Sequence, residues 1–218
     1  HNDGGNQPVL YAITQAGKSL GSYTIIGSAI NDWESIAADS GGNLYLADIG
    51  DNNGKRKRVA VHRLREPNPG SSGSALIEQT WRLEYPGSSM DAESFFVAGG
   101  NGYILSKERK NDRATLFRFP LSQAKVLKLQ QVAKIKIGSS PAGADLSRDN
   151  RKLAVVTDKG VYMFAVNGKI ATAGTVKPMF VRFNFSGMEG AAFAGNGLAV
   201  SSESRALFLF NGPAFRTW

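Results

Sequence analysis

Residues 32–48 contain the pattern that decides the fold, and they read DWESIAADSGGNLYLAD. A carboxylate precedes a short apolar segment, a Gly/Asn turn follows it, and a second apolar segment comes next. Short apolar segments that are bounded by Gly, Asn, Asp and Ser are typical of β-hairpins. Helical periodicity is nearly absent from the chain, so the hairpin is the structural unit to follow outward.

The same unit recurs along the 218 residues. Its carboxylates return at intervals close to the ~40–50 residues of one propeller blade. Glu34, Glu93, Asp145 and Glu189 therefore predict first strands at 34–38, 93–97, 144–148 and 189–193. The pattern predicts an all-β fold, a five-bladed β-propeller of four-stranded antiparallel blades that forms a single domain over residues 1–218.

The remaining strands follow each of these units in order. Segment 66–74 is predicted to be a loop because it is rich in Pro, Gly and Ser. The predicted second strands are 44–47, 103–105, 153–156 and 198–200; the third strands are 59–64, 115–119, 161–165 and 206–210; and the fourth strands are 80–85, 132–137 and 179–185.

The N-terminal segments 9–14 and 22–26 are predicted to be the third and fourth strands of the first blade. That blade then lacks its innermost strand and most of its second strand. We therefore expect the first blade to be incomplete and N-terminal residues to be missing from this sequence.

The composition excludes several classes of function. There is no cysteine, which excludes disulfides and thiolate chemistry. Only two histidines are present, His1 and His62, and neither accompanies a nucleophile motif that would indicate a Ser-His-Asp triad. His62 lies in an alternating strand, so a structural role is expected. The net charge of +8 favours either a soluble basic surface or a polyanion partner.

First strands of propeller blades line the central channel. The four repeated carboxylates are therefore predicted to face that channel, as ligand-binding residues or as ligands of Ca²⁺ or another divalent cation, which prefer oxygen ligands. The ends of the second strands are predicted to lie near its opening. Those ends carry Asp48, Lys107, Asp158 and Glu203, and Asp3 in the incomplete blade. Lys107 and Asp158 are predicted to bind the ligand together with the repeated carboxylates.

The negative charge of carboxylates that converge in one channel has to be balanced. Two interpretations remain open. In the first, a divalent cation, or the counter-charges Lys107 and Arg109, compensates them at a working site, and Asp48 or Glu203 acts as general base. In the second, each carboxylate accepts neighbouring backbone N–H groups and fixes the register between blades. The DIGDNNG segment at 48–54 is expected to be a turn, because Val59 stands where an EF-hand needs an acidic residue.

The strings HNDGG at 1–5, DWESIA at 32–37 and DIGDN at 48–52 resemble a largely uncharacterised family of secreted bacterial β-propellers. A more distant resemblance, in architecture only, is to phytase-like and gluconolactonase-like propellers. Ser35 stands where the family has an acidic residue, and Asp145 stands where its repeat has a glutamate. The resemblance implies a periplasmic or secreted protein, but fold analogy does not establish an activity.

Three hypotheses follow for the function of this chain. The first is a propeller that binds a small ligand, glycan or protein partner at a channel face. The second is a divalent-metal-dependent hydrolase or lactonase, and the third is a basic module that binds a polyanion. We expect a monomer without a transmembrane segment, because no apolar run approaches the ~18 residues that span a bilayer.

Overall fold

A computed structural model describes residues 1, 7–27, 31–107, 113–122, 126–183 and 185–211. These residues form five small sheets, which are the blades of a five-bladed β-propeller, and the predicted fold class is therefore confirmed. The only helical element among them is the 3-10 helix η1 (Ile170–Gly174). None of the helical structure in the described residues has the length and apolar character needed to cross a bilayer.

The strands are β1 (Val9–Ile13), β2 (Ser19–Ile26), β3 (Trp33–Ala38), β4 (Asn43–Asp48), β5 (Val59–Arg65), β6 (Gly73–Leu76), β7 (Gln79–Glu84), β8 (Ala92–Ala98), β9 (Asn101–Ser106), β10 (Arg113–Pro120), β11 (Val126–Lys128), β12 (Gln130–Lys136), β13 (Pro141–Leu146), β14 (Lys152–Thr157), β15 (Gly160–Ala165), β16 (Met179–Arg182), β17 (Met188–Ala194), β18 (Gly197–Ser202) and β19 (Leu207–Asn211). Blade 1 has the strand order β1-β2-β6, and blade 2 has the order β11-β7-β5-β4-β3. Blades 3, 4 and 5 have the orders β12-β10-β9-β8, β13-β14-β15-β16 and β17-β18-β19. The first strands β3, β8, β13 and β17 pack against one another in that order, so they flank the channel.

The second strands β4, β9 and β14 are mostly buried on both faces, between neighbouring blades. In β14, for example, all residues after Lys152 are buried. A strand buried on both faces needs a continuous apolar run rather than alternation, which is why LAVV and its counterparts were recognisable. The core consequently lies between blades, as in the cluster of Trp81, Phe95 and Phe119 between blades 2 and 3.

The blades were predicted to have four strands, with the first blade incomplete, and short parallel strands extend two of them. The strand β6 begins at Gly73 and Ser74, the end of the predicted loop 66–74, and pairs in parallel with β2 of blade 1. Likewise β11 pairs in parallel with β7 of blade 2. In both cases the connection between the third and fourth strands of one blade reaches back to the preceding blade. In the described residues the blades have three to five strands.

Candidate functional site

The first strands share a β-bulge that defines which residues are equivalent. Each bulge falls between the first and third residue of the strand, so one residue bulges in each of blades 2 to 5. The bulged residues are Glu34, Glu93, Ala142 and Glu189. The prediction that Asp145 is equivalent to the three glutamates was wrong, because Asp145 lies further along β13, opposite Ala154. The repeat in the sequence was aligned on its carboxylates, whereas the equivalent positions in the fold are the bulged residues.

The ends of the second strands need a similar correction. Asp48 pairs with Trp33 at the start of β3, and the equivalent partners in the other blades are Ser106, Thr157 and Ser202. The predicted residues Lys107, Asp158 and Glu203 therefore follow one position later, and their equivalent in blade 2 is the buried Ile49.

The polar residues at the true strand ends are buried and bind backbone groups. Asp48 is 1% exposed, accepts the N–H of Asp32 at 3.0 Å and pairs with Arg56 at 2.7 Å. Ser106 accepts the N–H of Thr115 at 2.9 Å. These contacts favour a structural role for Asp48 over its predicted role as a general base, because its carboxylate oxygens are already bound within the protein.

The bulged glutamates and the residues that follow the second strands lie at one end of the channel, which we call the carboxylate end. Glu93 forms an ion pair with Lys107 there. Burial raises the pKa of Glu93, an effect that Lys107 opposes and the charges of Asp91 and Asp158 reinforce. Burial lowers the pKa of Lys107, but the bond to Glu93 and the charges of Glu93, Asp91 and Glu34 outweigh it and leave the pKa raised. Lys107 thus supplies the counter-charge that converging carboxylates require.

The polar groups of the loop after Asp48 are also bound to one another. The carboxylate of Asp51 accepts the N–H groups of Lys55 and Arg56, each at 2.9 Å. The guanidinium of Arg56 donates to the carbonyl oxygen of Gly50 at 2.6 Å. Backbone donors and a cationic side chain therefore hold this segment as a turn.

Within the described ranges, no group of three or more His, Asp or Glu residues is arranged to hold a metal ion. A Ca²⁺ site at Glu34, Glu93, Asp145 and Glu189 stays a prediction, although Asp145 does not share the glutamates' position. The predicted contributors Asp3 and Arg109 lie outside the described residues. His62 is buried, with Nδ1 at 2.9 Å from the hydroxyl of Thr80, which agrees with a structural role.

A cavity of about 1030 Å³ opens at the other end of the first strands, which we call the turn end. The ends of β3, β8, β13 and β17 and the turns that follow β3, β8 and β13 surround it. Its charged lining residues are Asp39, Arg63, Asp145 and Arg148. Asp145 is thus the predicted site residue that belongs to this cavity.

Both carboxylates of the cavity are bound by protein donors. Asp145 accepts the N–H of Phe193 at 2.7 Å and that of Leu146 at 2.8 Å. Burial nevertheless raises the pKa of Asp145 to about 6, against the effect of those two bonds. Burial alone would raise the pKa of Asp39, but hydrogen bonds from Asn43 and Tyr45 lower it below its ordinary value.

The two guanidinium groups of the cavity are much less engaged. Arg63 contacts Glu78 only at 3.4 Å, and its buried Nε has no hydrogen-bond partner among the described residues. Arg148 is exposed, and no ion pair or hydrogen bond of its side chain is present in the described part of the chain. Neither arginine is identifiable from the sequence pattern, because only the pairing of Arg63 with Tyr45 and the turn after β13 bring them to the cavity.

No family model matches the chain, and no curated protein matches it. The resemblance to secreted bacterial propellers therefore stays a prediction. Among solved structures, the chain is similar to the crystal structure of a nidogen/laminin complex, with 14% identity over 91% of this chain and 69% of that one and a TM-score of 0.52. It is also similar to the crystal structure of a mitotic checkpoint complex, with 10% identity over 96% of this chain and 60% of that one and a TM-score of 0.50.

A further similar structure is that of the Dos1 propeller, with 13% identity, a TM-score of 0.47 and coverage of 95% of this chain. This chain spans about half the length of that protein, covering 51% of it. At these identities the similarities bear on the fold alone.

Proposed function

We propose that this chain is a secreted or periplasmic ligand-binding β-propeller, and that a small organic ligand occupies the cavity at the turn end of the channel. The observation that carries the proposal is the cavity itself, about 1030 Å³ at one end of the first strands. Sites for small molecules are usually concave spaces of ~300–1,000 Å³ that form before the ligand arrives. The periplasmic or secreted location rests on the resemblance of the three sequence motifs.

The lining combines apolar side chains with polar and charged groups. Ligand pockets combine mostly apolar walls with a few polar groups that orient the ligand. Here the charged groups are two carboxylates and two guanidiniums, among which Asp145 has a pKa raised to about 6 by burial. Perturbed titratable groups in a cleft are typical of functional sites. The apolar walls are formed by Ile36, Leu44, Val97, Leu121, Leu146 and Phe193.

The test uses a neutral apolar dye, N-phenyl-1-naphthylamine, whose fluorescence rises in apolar sites. Ala192 lines the cavity and is exposed, so Ala192→Trp adds bulk to the cavity without crowding a buried core. Ala171 is exposed on η1 away from the cavity, so Ala171→Trp is the matched control. We expect saturable dye binding that Ala192→Trp abolishes and Ala171→Trp retains. Binding that both variants retain equally contradicts the proposal.

A second candidate function is polyanion binding on the outer edge of blade 3. Arg113 lies directly opposite Lys136 across the β10–β12 pair, and Lys134 is opposite Thr115. All three basic residues are exposed. Like charges directly opposite each other destabilise a sheet unless an anion compensates them. This arrangement favours an anionic polymer as the partner of this edge.

A further inference from the structure

The four charged groups that line the cavity differ in how much of their hydrogen-bonding capacity is used. Asp39 accepts bonds from the backbone N–H groups of Gly41 and Asn43 and from the side chains of Asn43 and Tyr45. Asp145 accepts two backbone N–H groups. A ligand cation would therefore have to compete with protein donors for both carboxylates.

The opposite holds for the two cations of the cavity. The long contact of Arg63 with Glu78 involves one terminal nitrogen, and its Nε is buried without a partner in the described residues. A guanidinium presents five donors, so most of the capacity of Arg63 and Arg148 is unused. The terminal nitrogens of both side chains can therefore donate to a ligand acceptor.

We propose that the ligand of the cavity is an organic anion with an apolar body, held through its anionic group by Arg63 and Arg148. This inference rests on the proposed function, because it assigns the ligand class of the same cavity. Guanidinium groups bind carboxylate, sulfonate and phosphate oxygens through paired donors, so the anionic group is specified by shared chemistry. The apolar walls contact the body of the ligand.

Protonation of Asp145 supports binding of an anion. The charged and titratable groups that line the cavity are Asp39, Tyr45, Arg63, Asp145 and Arg148. The pKa of Asp39 is lowered and that of Tyr45 is raised to about 12, so neither changes charge between pH 5 and pH 7.5. Burial raises the pKa of Asp145 to about 6, so this group gains its negative charge within that range. The affinity for an anion should therefore fall as the pH rises from 5 to 7.5.

The experiment compares two dyes that differ by one anionic group. 8-Anilinonaphthalene-1-sulfonate is N-phenyl-1-naphthylamine with a sulfonate added, and both are titrated into the protein. We expect the sulfonate dye to bind about tenfold more tightly, as one charge-assisted contact predicts. That preference should be lost in Arg63→Met and Arg148→Met. It should persist in Arg182→Met, which removes an exposed arginine of β16 away from the cavity.

The outcomes separate the two proposals. If both dyes bind equally and Ala192→Trp blocks both, the anionic ligand class is overturned while the proposed function stands. If neither dye binds, the proposed function fails and the inference fails with it. If Arg63→Met does not fold, Arg63→Lys and Arg148→Met carry the test, because both should still reduce the preference.

Competition with the sulfonate dye tests whether the body of the ligand is apolar. 1-Naphthoate, an apolar carboxylate, should displace the sulfonate dye at lower concentration than glucuronate, a polar sugar acid of the same charge. The reverse order overturns the apolar body and assigns the cavity to sugar acids.

Discussion

At the scale of single residues, the protonation of Asp145, which lines the cavity, makes the stability of the fold depend on pH. Its pKa is raised by burial from 3.8 to about 6, so the folded state holds its proton more tightly than the unfolded state does. The protonated form therefore stabilises the fold fully below pH ~4, and this contribution is lost as the pH rises through about 6. In the wild-type protein the loss is about 2–3 kcal/mol between pH 4 and pH 7.

Asp145→Asn should remove this dependence, because the amide cannot ionise. Chemical denaturation at pH 4 and pH 7 should show the variant gaining about 2–3 kcal/mol relative to the wild type over that range. The control is Asp149→Asn, since the pKa of exposed Asp149 is lowered by Ser147 and any change has the opposite sign. A constant difference between Asp145→Asn and the wild type contradicts the pKa assignment.

Lys107 is the second residue with a specific prediction. Lys107→Met leaves Glu93 without its ion-pair partner, close to the charges of Asp91 and Asp158. We expect urea denaturation at pH 7 to show a loss of about 1–3 kcal/mol, and a smaller loss at pH 5, where Glu93 protonates more readily. Lys177→Met, which removes an exposed lysine, is the control and should be nearly neutral. A loss that is equal at both pH values would show that Lys107 acts through packing alone.

The same variant tests the predicted calcium site. Lys107 pairs with Glu93 and also acts on Glu34, so a divalent cation competes with it for these carboxylates. We expect millimolar Ca²⁺ to leave the melting temperature of the wild type unchanged and to raise that of Lys107→Met. A ligand that binds only the folded state stabilises it by RT ln(1 + [L]/Kd), so the thermal melt is a direct measurement. A clear rise in the wild type, reversed by chelator, would instead establish a metal site beside the ion pair.

At the scale of elements, the connections that reach back to the preceding blade are the least expected feature. The connection before β6 passes so close to blade 1 that a Cβ at Gly21 would collide with the carbonyl oxygen of Ser71. We expect Gly21→Ala to cost about 1–3 kcal/mol, because backbone rather than a flexible side chain has to move. Gly87→Ala is the control, since Gly87 has open space around it. Equal thermal stability of the two variants would show that this connection does not contribute to blade 1.

These connections could not be predicted from sequence for a physical reason. β6 and β11 have four and three residues, and strands this short bury little surface and show no periodicity. Pro67, Pro69 and Gly70 indicate a loop locally, whereas the parallel pairing depends on the position of β2 in another blade. The long buried runs of β4, β9 and β14 were predictable because burial on both faces requires apolar residues throughout.

The candidate site shows the same limit. The sequence identified Glu34, Glu93 and Glu189 as equivalent, because the repeat is strong around each of them. Asp145 was misaligned because it was matched by charge, while the bulge places Ala142 in the shared position. Arg63 reaches the cavity only through its register with Tyr45, and no local pattern reveals such a pairing.

At the scale of the whole molecule, charge is segregated rather than evenly spread. The chain carries a net charge of +8, yet the carboxylate end gathers Glu34, Asp91, Glu93 and Asp158 around Lys107. The excess positive charge must therefore lie elsewhere, and part of it is on the outer edge of blade 3. A uniform basic surface would bind anions weakly everywhere, whereas a segregated one concentrates binding at the basic edge.

This segregation makes a prediction about salt. If Arg113, Lys134 and Lys136 each neutralise one phosphate of double-stranded DNA, used here as a probe polyanion, log K should fall with log salt with a slope of about −2.7. Each substitution to Gln should reduce the magnitude of the slope by about 1, because it removes one released counterion. Lys177→Gln, an exposed lysine outside blade 3, should leave the slope unchanged. Identical slopes for all variants would place the contact elsewhere on the molecule, and the absence of binding at low salt would remove the polyanion function altogether.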